Sequence, residues 1–362
     1  VASIASRNEF YTSYTPYQPE VSQGMLQALY EYQSLMAELV ALPIVNASMY
    51  DWSTAASEAM LMCARVTKRS VILVPHCISP ERLQTMKTYA DAAGIAIRAV
   101  PMSADTGTLD RGALGAALTP ECACVYIENP TYHGVLEANA EEIGEMAHKA
   151  GALFCVGIDP VSCGVLRSPG DYGADIVVGE AGHLGNPLSY GGPLLGLFAI
   201  RDERSLLRML PGRIVGATTD REGRAGYVMT LQTREQHIRR ERATSNICTN
   251  ESLCAVSCAA YLSYLGPSGI RDLARTLMSN AAYLARALNA HEGWDAPIYD
   301  STHFREFVAR SPLTAESVEA QLLAQGIAAG IPVGSHEALY CVTDRHTVED
   351  AHALVAAVGR LV

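Results

Sequence analysis

The chain has 362 residues (38.8 kDa), 49% of them hydrophobic, and a formal net charge of −11. That is enough apolar material for one large domain and a smaller one. The acidic balance excludes a nucleic-acid partner, because phosphate backbones are met by basic faces. No apolar run approaches the ~20 residues of a membrane span and no signal peptide is visible, so no membrane partner is expected. The one basic cluster, Arg239-Arg240-Glu241-Arg242, is interrupted by acid and reads as a solvated or subunit-facing helix. The 10 cysteines form no paired CxxC framework, and several sit in apolar segments such as Leu153-Phe154-Cys155-Val156. They are expected to be reduced, buried thiols of a cytoplasmic protein. No metal is expected, since Cys122 and Cys124 have no nearby second pair.

In chain order, Tyr14-Thr15-Pro16-Tyr17-Gln18-Pro19-Glu20 and then Ser22-Gln23-Gly24 are dense in hydroxyl, amide and aromatic groups. A loop that only turns uses Gly, Asn or Asp, so this one is expected to line a pocket. Met25, Leu29, Tyr32, Met36 and Leu39 form an apolar stripe at helical spacing, a helix packed on the core or on another subunit. Tyr30, Tyr32, Met36 and the preceding loop are expected to contribute to a large obligate interface. Residues 1–40 thus read as an N-terminal arm and interface helix.

Six strand-like runs follow: Val71–Val74, Ile95–Val100, Cys122–Ile127, Leu153–Ile158, Ala174–Val178 and Leu195–Ile200. Helical patterns at 54–66, 80–93 and 139–150 lie between them. This alternation implies right-handed crossovers and a mostly parallel sheet, an α/β domain over residues 41–264. Ligands in such sheets sit beyond the carboxyl ends of strands, here Glu128–Gly134 and Asp159-Pro160. A boundary is expected at Leu265-Gly266-Pro267-Ser268-Gly269. Beyond it, a helix over 270–289, a strand Arg305–Ala309, a helix over 314–325, a strand Leu339–Thr343 and a final helix make a small α+β domain, 265–362.

Several stretches, in order, carry a family resemblance: Tyr14–Gly24, Glu31–Glu38, Asn46–Asp51, Asp171–Asp175, Leu210–Arg213 and Arg242–Asn250. Each is modest alone. Together they are specific and span essentially the whole chain, which resembles the glycine cleavage system P-protein (glycine decarboxylase), in the non-lysine subunit 1 of its two-subunit form. The resemblance implies a fold type I, aminotransferase-like pyridoxal-phosphate (PLP) architecture, and a homologous PLP-bearing subunit 2 in a heterodimer or a dimer of heterodimers. It implies that the pair decarboxylates glycine, with PLP as the electron sink, and passes the aminomethyl group to lipoylated H-protein. It also implies several dozen residues before the point equivalent to Val1.

The residues agree on where the cofactor stands. PLP is held as a Schiff base on a lysine amine, and the only lysines here are Lys68, Lys87 and Lys149. Arginine cannot replace them, because guanidinium does not deprotonate in proteins. No catalytic residue is therefore expected in this chain, which alone should be inactive and hold no covalent cofactor.

Subunit 2 carries a His-Lys pair ahead of a glycine-rich turn. The comparable segment here, Glu180–Pro187 before Gly191-Gly192-Pro193, keeps His183 and lacks the lysine. The resemblance places Asp159 where fold type I enzymes pair a carboxylate with the pyridinium nitrogen, and His133 near the position of the cofactor ring. Asp159, His133 and His183 are read as a vestigial site; a turn-capping Asp159 and a solvent-facing His133 are the alternatives. Met49–Ala55 lacks the small Gly/Ala turn that lets amides approach a phosphate, so a degraded phosphate cup is expected. Ser53 or Thr54 would merely cap the following helix. Tyr14, Tyr17, Ser245, Asn246 and Thr249 are expected to reach the partner's PLP, with Asn250 capping a helix that starts near Glu251. Two other functions stand beside this one: a non-catalytic scaffold, and a P-protein-like subunit of a PLP enzyme acting on another amino acid.

Overall fold

The structure is a computed structural model that describes residues 1–12, 15–231, 236–247 and 251–361. Two short helices, α1 (Ala2–Ala5) and α2 (Asn8–Tyr11), lead into α3 (Gln23–Val40) and β1 (Ile44–Val45). The α/β region continues through α4 (Trp52–Thr67), β2 (Val71–Pro75), α5 (Pro80–Ala93), β3 (Ala96–Val100), α6 (Arg111–Ala117) and β4 (Cys122–Glu128). It ends with α7 (Ala140–Lys149), β5 (Leu153–Ile158), β6 (Ile176–Glu180) and β7 (Gly196–Ile200).

Strands β2, β4, β5 and β7 are buried along their whole length, as strands covered on both faces must be. The sheet order is β1-β7-β6-β5-β4-β2-β3. From β3 to β6 the strands run parallel, while β7 and β1 close one edge antiparallel. The mostly parallel α/β fold read from the sequence is the fold observed; what burial could not reveal is the reversed direction of β7. Because β3 lies across β2 from β4, the winding reverses there, and the carboxyl ends of β4, β5 and β6 open onto one crevice.

After β7 come α8 (Arg204–Met209) and a hairpin absent from the sequence reading, β8 (Ile214–Thr219) with β9 (Ala225–Thr230). This hairpin explains the fate of the apolar stripe. Tyr32 and Met36 on α3 are each 0% exposed and belong to the chain's own core, so the expectation that they form a subunit interface is corrected. Tyr30 packs on Tyr227 of β9 with ring centroids 5.4 Å apart. Gln33 gives its side-chain amide to Val215 O (3.0 Å) and accepts from Val215 N (2.9 Å).

A short α9 (Gln236–Arg239) precedes α10 (Ser252–Asn289). The break expected at Leu265–Gly269 is a kink inside this helix: Gly266 has φ 63°, a left-handed value glycine adopts without steric cost, and Pro267 follows. By length and composition α10 is long and apolar enough to cross a membrane, contrary to the expectation that no segment comes near that length. Its apolar residues are shared instead between two cores: Cys254 to Leu277 join the main cluster, and Ala281 to Leu288 join a separate one.

That second cluster is completed by β10 (Glu306–Arg310), α11 (Ala315–Ala324), β12 (Glu337–Cys341) and α12 (Val348–Val358), with β11 (Ile331–Pro332) pairing antiparallel to β12. Main-chain bonds fasten this small unit to the loop after β4. Leu136 N donates to Thr302 O and Phe304 N to Gly134 O, both at 2.9 Å. Gly134 has φ 82°, and a β-carbon there would lie 1.9 Å from Glu306 O.

Candidate functional site

At the carboxyl end of β5, Asp159 caps the following turn by accepting from Val161 N at 3.0 Å. The same carboxylate oxygen meets His183 Nε2 at 3.0 Å, and its other oxygen lies 3.0 Å from Arg305 Nη2. Burial opposes the charge on Asp159, yet Arg305 and His183 overcome it and hold the carboxyl well below the usual range. The turn-capping reading of Asp159 is thus observed. Asp159 and His183 are brought together. His133 is not part of that group: its Nδ1 lies 3.1 Å from Tyr299 OH and the two rings stack at 5.8 Å.

The next strand end, Glu180 on β6, faces the N-terminus of α4. Its carboxylate accepts from Trp52 N (3.2 Å), Gly182 N (2.7 Å) and Leu195 N (2.8 Å). Asp51 accepts from Thr54 N at 2.7 Å, closing a capping box with the Thr54 hydroxyl. The N-cap is therefore Asp51 and not Ser53 or Thr54 as read from the sequence, Thr54 supplying the reciprocal bond, and the amides of Trp52 and Thr54 at this helix end are already used.

Toward β4, the end of β5 is covered by side chains. The Trp52 indole lies against Gly157 of β5, where an added β-carbon would approach it to 2.8 Å. Trp52 Nε1 donates to Tyr126 OH (3.1 Å), which donates to Glu128 (3.0 Å). Arg82 pairs with Glu128 and places its guanidinium 3.7 Å above the indole. A cavity of about 1070 Å³ lies beyond, with His183, Asn186, Ser257, Tyr261, Arg305 and Arg345 on its walls.

These residues do not fit PLP. Lys68 is the C-cap of α4, at the opposite end of that helix from Asp51, while Lys149 pairs with Glu145 and Lys87 lies exposed on α5. The amides of Trp52, Thr54, Gly182 and Leu195 and the carboxylate of Asp159 are engaged by the chain itself.

Of the residues read as facing a partner's cofactor, Tyr14 and Thr249, with Asn250, lie outside the described residues. Tyr17 is half-exposed and its ring lies 5.0 Å from the guanidinium of buried Arg213. Ser245 and Asn246 line a different cavity, about 320 Å³, with Glu58 and Arg65 of α4 and Tyr89 of α5. Burial pushes the Glu58 carboxyl up to about 7, against the pull of its hydrogen bond from Ser245 and of Arg65. Arg65 also donates to Thr244 O, and Glu251 N donates to Ser48 Oγ at 2.9 Å.

Glu180, Arg305, Trp52 and Glu58 were not singled out by sequence. Glu180 could have been, because it is an acid at the end of a strand, as Asp159 is. Nothing local marks Arg305, which acts across the fold.

The family model for the glycine cleavage system P-protein matches residues 1–358. The chain belongs to the glycine cleavage system P-protein family. A "probable glycine dehydrogenase (decarboxylating) subunit 1" of Thermococcus kodakarensis is 49% identical over 368 residues, covering 100% of this chain and 80% of the relative. A crystal structure of a P-protein glycine decarboxylase in inhibitor-bound form superposes with a TM-score of 0.93 at 41% identity, covering 100% of this chain and 81% of the other. A C-DES mutant with glycine covalently linked to its PLP cofactor shares the fold alone, with a TM-score of 0.68 at 15% identity over 100% of this chain and 92% of that one. The P-protein chain thus has a fold type I framework, which among its structural neighbours serves PLP enzymes.

Proposed function

We propose that this chain is subunit 1 of a two-subunit glycine decarboxylase and that PLP stands on subunit 2. The observation that carries the assignment of the cofactor is the state of this chain's own cleft: none of its three lysines lines the cavity at His183 and Arg305, and its charged positions are taken by Glu180 and Arg305. The relatives named as subunit 1 support a second chain in the assembly.

In this reading PLP supplies the electron sink for the carbanion left when glycine loses carbon dioxide. The part played by this chain is geometric. It buries a face of the partner and presents polar groups across the interface, so that the partner's site is held in working order. Tyr14, Tyr17, Ser245, Asn246 and Thr249 are the proposed contributors. The aminomethyl group goes to lipoylated H-protein.

Co-expression with a PLP-bearing P-protein subunit, followed by assay of carbon dioxide release from glycine with lipoylated H-protein, tests this. Activity is expected only with both chains present. Turnover by either chain alone, or an intact pair that ignores glycine and accepts another amino acid, would overturn it.

A further inference from the structure

Three backbone N–H groups from two segments converge on the Glu180 carboxylate, and one of them is the first amide of α4. Gly182 permits this approach, since a β-carbon at that position would lie 2.7 Å from Glu180 Oε1. A carboxylate receiving charge-assisted bonds at a helix N-terminus is in the electrostatic position of a bound phosphate. At the neighbouring strand end, Asp159 faces a guanidinium at 3.0 Å, a planar delocalised cation in the position of a protonated pyridine. The indole of Trp52 packs on Gly157 of β5.

We infer that Glu180 and Arg305 are built-in counter-charges standing in for the two charged ends of a phosphorylated pyridine cofactor, so that the charged positions of this chain's cleft are satisfied by the chain itself and the cleft is closed to such ligands by charge rather than by lack of space. This deepens the reading that PLP belongs to subunit 2, but it concerns residues of this chain alone. An incoming phosphate, carrying about −1.5 to −2 charges at neutral pH, would meet Glu180 as a like charge and find its donors engaged. An incoming pyridinium would have to displace Arg305 from Asp159.

The test uses pyridoxamine 5′-phosphate, which has both charged ends but no aldehyde, so that lysine chemistry plays no part. The full chain is titrated by calorimetry, alone and as the Glu180→Ala/Arg305→Ala double variant, with circular dichroism confirming the fold. The wild type is expected to show no saturable binding up to about 1 mM, and the folded double variant to bind at least about tenfold more tightly. Arg305→Lys, which keeps a cation on Asp159, is expected to behave as wild type. Wild-type binding tighter than about 100 μM, or a folded double variant no better than wild type, overturns the inference. If the double variant does not fold, the wild-type titration still decides. An inactive assembled pair with this binding pattern intact would count against the proposed function and leave the inference standing.

Discussion

Gln33 and Val215 exchange a pair of hydrogen bonds, 3.0 and 2.9 Å long, in which a side-chain amide on a helix pairs with the main chain of β8 as a neighbouring strand would. Both residues are buried. Replacing Gln33 by Ala leaves one buried donor and one buried acceptor of Val215 without partners. The expected cost is about 2–4 kcal/mol of stability, read from urea unfolding. A loss under about 0.5 kcal/mol, the range of surface substitutions, would mean that the hairpin is not held by this residue.

Arg305→Leu strands the Asp159 carboxylate in a mostly buried position beside His183. Breaking one side of such a pair is expected to cost about 2–4 kcal/mol at neutral pH. The pH dependence gives the sign. Asp159 titrates lower in the folded chain than in an unfolded one, so its contribution is complete above about pH 4 and is lost as pH falls further. Acid unfolding of the wild type should therefore be steeper than that of Arg305→Leu below that point, as measured by circular dichroism.

Glu58 has the opposite sign. Its folded-state pKa is raised to about 7, burial being the main cause. The folded state then holds the proton more tightly than the unfolded one, and stability falls as pH rises from about 4.5 to 7, by about 3 kcal/mol in total. Glu58→Gln should remove most of that slope and be more stable than wild type at pH 8, by denaturant titration at the two pH extremes. An unchanged slope would place the titrating group elsewhere.

In the assembled enzyme, Tyr14→Phe and Thr249→Val are expected to reduce PLP retention or turnover by about ten- to a hundred-fold, the worth of one hydrogen bond to a charged group. Gel filtration with absorbance at the cofactor band separates loss of PLP from loss of assembly. Wild-type retention and turnover in both variants, with the pair intact, would remove these loops from the partner's site.

The interior strands were legible because a strand covered on both faces must be apolar throughout, as Leu153–Ile158 is. The hairpin escaped because β8 is buried only at Ile214 and Val215 and turns polar after them, so no alternation marks it. The stripe through Tyr32 and Met36 announced a helix but not its neighbour, and the neighbour was the unread hairpin. At the site, Asp159 was singled out at a strand end and His183 through the family resemblance of its segment; their 3.0 Å contact came from the structure. Arg305 was not singled out, because its meaning comes from a contact with a residue far away in the chain. The missing glycine before α4 was visible in the sequence; that the Glu180 carboxylate from another strand meets the first amide of that helix was not.

The seam between the large and small units is stitched by main-chain atoms, at Gly134–Phe304 and Leu136–Thr302. These two bonds do not depend on side-chain identity, unlike the Arg305–Asp159 pair and the Tyr299–His133 contact beside them. What they cannot survive is a change to the backbone itself: a proline at 304 or 136, or any side chain at 134, where Glu306 O leaves no room. Any movement of one unit against the other at this seam would have to break these main-chain bonds.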